Sequence, residues 1–145
     1  MTPRGIRNHN PGNIKELRGD PTIWEGERAQ NTDPIFEEFV TPVFGIRALV
    51  RVLRNYQRLY ELRTIRQVLG RFAPAGDGNP TLAYIKVVAV AIGVTPDTQL
   101  DLNDPDVMNK LVRAIVRFEN GAPPQGGDWY SDEIYKTGIE MGLKP

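Results

Sequence analysis

The sequence predicts a mainly α domain with a small β appendage, an α+β arrangement of four to six helices. Three observations lead there. Thr41-Pro42, Asn79-Pro80 and Asp104-Pro105 each place proline at a helix start, ahead of an apolar run. Those runs repeat with helical spacing. Residues 1–35, by contrast, are rich in Asn, Gly, Pro and Asp and keep no sustained period. Residues 1–40 therefore read as the loop and β-hairpin part of a single domain over 1–145, and 41–145 as its helical part.

Each element has its own justification. Ile35 to Val40 is a short strand candidate, half of a hairpin with the segment near Ile23-Trp24. The helix opening at Pro42 sets Phe44, Leu49, Val52, Leu53 and Tyr56 against Arg47, Arg51, Arg54 and Arg58, so it is amphipathic. Thr64 caps a short helix carrying Ile65, Val68, Leu69 and Phe72. A loop over 73–78 follows. The helix from Pro80 to Ile92, stopped at Gly93, is apolar almost all round and is expected to be the buried central one. Another helix runs from Pro105 to Phe118 or Glu119 and stops near Gly121. Ser131 caps the last, which carries Ile134, Tyr135 and Ile139 and ends near Gly142.

Composition narrows the chemistry. The 145 residues are 40% hydrophobic, enough for one core. There is no cysteine and one histidine, His9. That excludes a thiol nucleophile, a disulfide scaffold, a thiolate zinc site and a His-rich metal site. No metal and no cofactor are expected. Net charge is zero, which disfavours wholesale nucleic-acid binding. Seven arginines against Glu61 between Arg47 and Arg71 nevertheless give that segment +6. A solvated face is the plain reading of this stripe; a local patch for an anionic partner is the sharper one. No apolar run approaches the roughly 20 residues of a membrane span, so no membrane partner is expected. Met1-Thr2-Pro3-Arg4-Gly5 lacks the apolar stretch of a secretory signal. The expectation is a protein made soluble in the cytosol that needs outside help to leave it.

One residue breaks its helical pattern. Leu111, Val112, Ile115 and Val116 form an apolar stripe, and Glu119 continues it. Glu119 also falls in the last turn, where the helix dipole disfavours negative charge. Both effects penalise its ionised form, the situation that a general acid requires. The plain alternative is a frayed helix end pointing into water.

Arg4-Gly5-Ile6-Arg7-Asn8-His9-Asn10-Pro11-Gly12-Asn13-Ile14 resembles the opening R-G-I-R-N-N-N-P-G-N-I of a family of small phage proteins, described as virion structural or lysozyme-like. Trp24 with Gly26, the run from Phe36 to Leu49, Thr81-x-x-Tyr84-Ile85-x-x-Val88 and Ala114-Ile115-x-x-x-Glu119-Asn120-Gly121 extend the likeness. The pieces are also similar to those of lytic transglycosylases and bacterial glucosaminidases, in rotated order. Asn10 to Lys15 stands for the cleft loop, Tyr84 for the tyrosine motif, and the Glu119 helix comes last instead of first. The resemblance implies a circularly permuted lysozyme-like domain that cleaves the MurNAc-GlcNAc β-1,4 bond of bacterial peptidoglycan. It implies action at the cell wall, from the virion or after release at lysis.

In that reading Glu119 is the acid and base. Asn8, Asn10, Asn13 and Asn120 offer amides to the sugar, Trp24 a stacking face, and Tyr84 a hydroxyl. A hydrolase would want a second carboxylate from Asp33, Glu37 or Glu38. Strand alternation puts Glu37 and Glu38 on opposite faces, so at most one faces a cleft, and a solvated hairpin edge is the plain expectation for both. No second carboxylate has the anomaly of Glu119, which favours transglycosylase chemistry. The asparagines serve equally well as turn-formers, and His9 is expected to be an exposed turn residue. Arg47 is expected to hold a carboxylate bidentately, and Trp129 and Tyr130 to form a cleft wall or a packing lid. The competing class is a catalytically inactive virion structural or wall-binding protein of the same fold, whose arginine stripe would meet anionic wall polymer or another virion protein.

Overall fold

Residues 1–17 and 19–145 are described by the structure, a computed structural model. Among them the order is α1 (Arg4–Arg7), α2 (Pro42–Tyr60), α3 (Ile65–Phe72), a 3-10 turn (Ala75–Asp77), α4 (Thr81–Ile92), α5 (Pro105–Asn120) and α6 (Asp132–Leu143). The domain is mainly helical, as the periodicity predicts. No helix among the described residues is long and apolar enough to cross a membrane.

Most helix starts follow their sequence signals. Thr64 accepts from the Gln67 amide while the Gln67 side chain returns to the Thr64 N–H, a complete capping box. Asp104 accepts from the N–H groups of Asp106 and Val107, and Ser131 from Ile134. Thr41 makes no capping bond at α2. Asn79 turns away from α4 and donates to the Pro74 carbonyl at 3.0 Å. The one-turn α1 was not expected in the Asn- and Gly-rich opening.

The central helix is not α4. Leu82, Val87 and Val90 on α4 are exposed, and only Tyr84, Ile85, Val88 and Ala89 are buried. This helix packs mainly on α3 and α5, and its other face stays exposed. The longest helix, α2, instead runs against α6. Two glycines of α6 make that approach possible. A Cβ at Gly138 would lie 2.7 Å from Ile46 Cγ2, and one at Gly142 would lie 2.5 Å from Val50 Cβ.

The N-terminal part forms two isolated antiparallel bridges, Lys15 with Phe36 and Glu27 with Phe39, in place of the expected hairpin. Residues 35–40 lie between two segments. On one side Glu16 N donates to Ile35 O and Glu37 N to Ile14 O; on the other Arg28 N donates to Glu38 O and Val40 N to Gly26 O. A longer ladder is interrupted by side chains. The Asp33 carboxylate takes the N–H groups of Ile35 and Phe36, and Glu38 takes those of Thr32 and Asp33.

Candidate active site

The Asn-rich turn is built by Asn10. This side chain is fully buried, accepts from Ile14 N at 3.0 Å and donates to the carbonyls of Ile14 and Glu37, each at 2.9 Å. Its amide is spent on backbone, so Asn10 shapes the turn instead of facing a ligand, contrary to the sugar-contact expectation. The turn requires positive φ at His9 and Asn13, both 51°, a conformation asparagine tolerates better than most residues. The turn also lies directly on α2. A Cβ at Gly45 would fall 1.9 Å from the His9 carbonyl oxygen.

Asn120 joins this turn to the end of α5. Its amide donates to Pro11 O at 2.8 Å and Val116 O at 2.9 Å. Buried in that position, it anchors the two elements and does not reach the groove. Glu119 is thereby carried to the turn, where Asn13 Nδ2 donates to Glu119 Oε1 at 2.9 Å. The apolar stripe of α5 is buried as expected, and Glu119, one turn further on, sits half-buried at the edge of the core.

Asn13 and Glu119 open onto a groove of about 380 Å³, whose walls include Trp24, Glu37, Tyr56 and Arg71. Tyr84 does not line the groove: it is 1% exposed, its ring stacked on Phe118 at 3.9 Å. Its hydroxyl has no hydrogen-bond partner among the described residues. Burial, and then the neighbouring Glu119 carboxylate, raise the Tyr84 phenol well above its ordinary range.

The three proposed second carboxylates separate cleanly. Asp33 is gripped by Arg4 through two contacts of 2.6 Å and also accepts from Asn8 at 2.9 Å. The Arg4 guanidinium holds it well below the usual carboxylate range, against the cost of burial. Glu38 is pushed up by burial, but the N–H groups of Asp33 and Thr32, the Thr32 hydroxyl and Arg28 outweigh this and hold it below its ordinary value. Both are structural and lie off the groove. Glu37 alone of the three lines it. Burial, followed by Glu27 and then Glu16 and Asp20, pushes Glu37 up to about 8. Neither Glu37 nor Glu38 is a solvated edge, since each is only 4% exposed.

Other expectations are redistributed. Asn8 is buried against Asp33 and leaves the groove to Asn13. His9 is half-buried, with Nδ1 3.2 Å from Phe39 O, because the turn folds it onto the bridged segment. Arg47 makes a single 3.1 Å contact with Glu25; the bidentate clamp is Arg4 on Asp33. Trp129 donates to Gly121 O at 2.8 Å and Tyr130 packs edge-on against Tyr135, so both serve packing and not the groove wall. Reading by sequence missed Arg71, which lies over the Tyr60 ring at 4.0 Å and enters the groove. It also missed Glu16 and Glu27, which converge on Glu37 from separate loops.

Fold and site together define a mainly helical protein in which a glutamate at a helix end meets an amide-rich turn at the wall of a groove. Among known proteins the chain is similar to "Protein P5" of Pseudoalteromonas phage PM2, with 41% identity over 140 residues that span 97% of this chain and 82% of that protein. The chain belongs to the family of that phage protein. No protein-family model matches it.

Proposed function

We propose that the groove binds a glycan strand of bacterial peptidoglycan and that Glu119 cleaves the MurNAc-GlcNAc β-1,4 bond, in a circularly permuted lysozyme-like domain. The observation that supports this reading is the 2.9 Å bond from Asn13 to Glu119 at the groove wall. The Asn13 amide fixes one carboxyl oxygen and leaves the other for a proton. Protonated Glu119 gives that proton to the bridging oxygen as the C1–O bond breaks. The resulting carboxylate then takes the proton from the sugar's C6 hydroxyl as its oxygen closes on C1, leaving an anhydro end. This route needs no second carboxylate. In a muramidase, water would replace the C6 hydroxyl, and Glu37 is the candidate that lines the same groove. Trp24 and Asn13 present a stacking face and an amide to the sugar.

The test is incubation with purified peptidoglycan followed by mass analysis of the soluble fragments. Anhydro ends support the transglycosylase, and reducing ends the muramidase. No release from the wild-type chain, or equal release from Glu119→Gln, overturns the assignment. A non-catalytic wall-binding or virion structural role is the second reading. It is favoured by Asp33 and Glu38 being tied up in ion pairs. Wall binding without fragment release, or co-purification with capsid proteins, would support it.

A further inference from the structure

We propose that Glu16, Glu27 and Glu37 form a binding site for a hard divalent cation of calcium's size. One carboxylate oxygen from each lies within 4.8 Å of the other two. A calcium-like cation, with metal–oxygen distances of roughly 2.3–2.6 Å and a flexible coordination shell, can gather three such carboxylates, whereas magnesium dehydrates reluctantly and is held by one or two.

The second observation is the state of Glu37 itself. The residue is 4% exposed, and Oε2 is sealed from solvent with no hydrogen-bond partner among the described residues. An ionised oxygen in that position needs a cation or a donor. The three residues also grade from exposed Glu16 through half-buried Glu27 to buried Glu37, which leaves a path from water to the inner ligand. Two of them are held in place by neighbours. Trp24 N donates to Glu27 Oε2 at 3.0 Å, and the Asn31 amide donates to Glu16 Oε2.

The sequence-based expectation of no metal counted thiols and imidazoles, which select transition metals. A calcium-like ion takes oxygen, and carboxylates spread over 16, 27 and 37 carry no spacing signature. Such an ion would tie together three segments, around Lys15, Glu27 and Phe36, that are otherwise joined by two isolated bridges and a few hydrogen bonds. It would thereby stiffen the groove that Glu16 and Glu37 line together with Glu119. The inference stands apart from glycan cleavage, because its readout is binding and not turnover.

The experiment uses the full chain stripped with EGTA. Calcium is titrated by calorimetry, terbium by emission sensitised through Trp24, and melting is compared in EGTA and in calcium. The expected result is one calcium per chain, with a dissociation constant of roughly 0.1–1 mM and a raised Tm. Glu37→Gln should weaken binding at least about tenfold. In EGTA it should melt no lower than wild type, since the new amide can donate to the facing carboxylates. Should Glu37→Gln fail to fold, exposed Glu16→Gln carries the same expectation of weakened binding. The proposal is overturned if wild type shows neither binding nor a Tm shift, as three acids sharing only a proton would behave. Unchanged calcium affinity in the variant that folds, or magnesium binding as tightly as calcium, overturns it too.

Discussion

Asn13 and Glu119, 106 positions apart in the chain, share a 2.9 Å hydrogen bond at the wall of the groove. Nothing local to either residue produces it. Asn10 bends the turn, Gly45 lets it settle on α2, and Asn120 pulls the end of α5 onto it.

Glu119→Gln should abolish glycan release, a loss of about a hundredfold or more for removal of an acid–base group, with unchanged circular dichroism. Asn13→Gly is the cleaner partner test, because glycine accepts the 51° φ at that position. It should cost roughly ten- to a hundredfold in activity, the value of a hydrogen bond to a charged group, and little in Tm. Equal activity of Asn13→Gly and wild type in a fragment-release assay would remove Asn13 from the site.

Asp33 sets an acid limit on stability. Its folded value lies below its ordinary 3.8, so its contribution is complete above that pH and is lost as pH falls below it. Glu38 acts in the same direction. Melting temperature should therefore fall on acidification through this range. Asp33→Asn should lower Tm at neutral pH by roughly 5–10 °C and flatten the acid slope. A neutral-pH Tm equal to wild type would show that the Arg4 clamp contributes nothing.

Gly45→Ala should destabilise the chain by about 3 kcal/mol or more, because the added Cβ would meet a backbone carbonyl that cannot rotate away. Denaturant unfolding reads this directly. If the variant folds, the Asn turn must lift from α2, and activity should fall with it. Gly70→Ala, where nothing lies within 4 Å of the new carbon, is the control and should be neutral or slightly stabilising.

Tyr84→Phe should leave stability unchanged or raise it by up to about 1 kcal/mol, since it removes a buried hydroxyl that has no partner among the described residues. A clear loss of stability would mean that the hydroxyl bonds Glu119 in solution. Activity measured on the same variant then reports whether this contact positions the carboxyl.

Helix identity was legible because it depends on near neighbours. Periodic apolar residues, the capping box at Thr64 and the Asp104 and Ser131 caps are decided within a few positions. Glu119 stood out for the same reason, as a charge continuing an apolar stripe. The burial of Glu37 and Glu38 was hidden, because it depends on which distant segments flank residues 35–40. Composition misplaced α4 at the centre, since apolar content says how much surface a helix can bury and not how many partners it meets.

The sequence by itself therefore determined α2 to α6 and the caps at Thr64, Asp104 and Ser131, and it set one acid, Glu119, at the end of an apolar stripe. Only the tertiary structure decided which asparagine meets that acid, which carboxylate shares its groove, and that three glutamates converge beside it. The physical reason is range: helical spacing and capping act within a turn or two, while a groove is made by side chains whose separation in the chain carries no information about their separation in space.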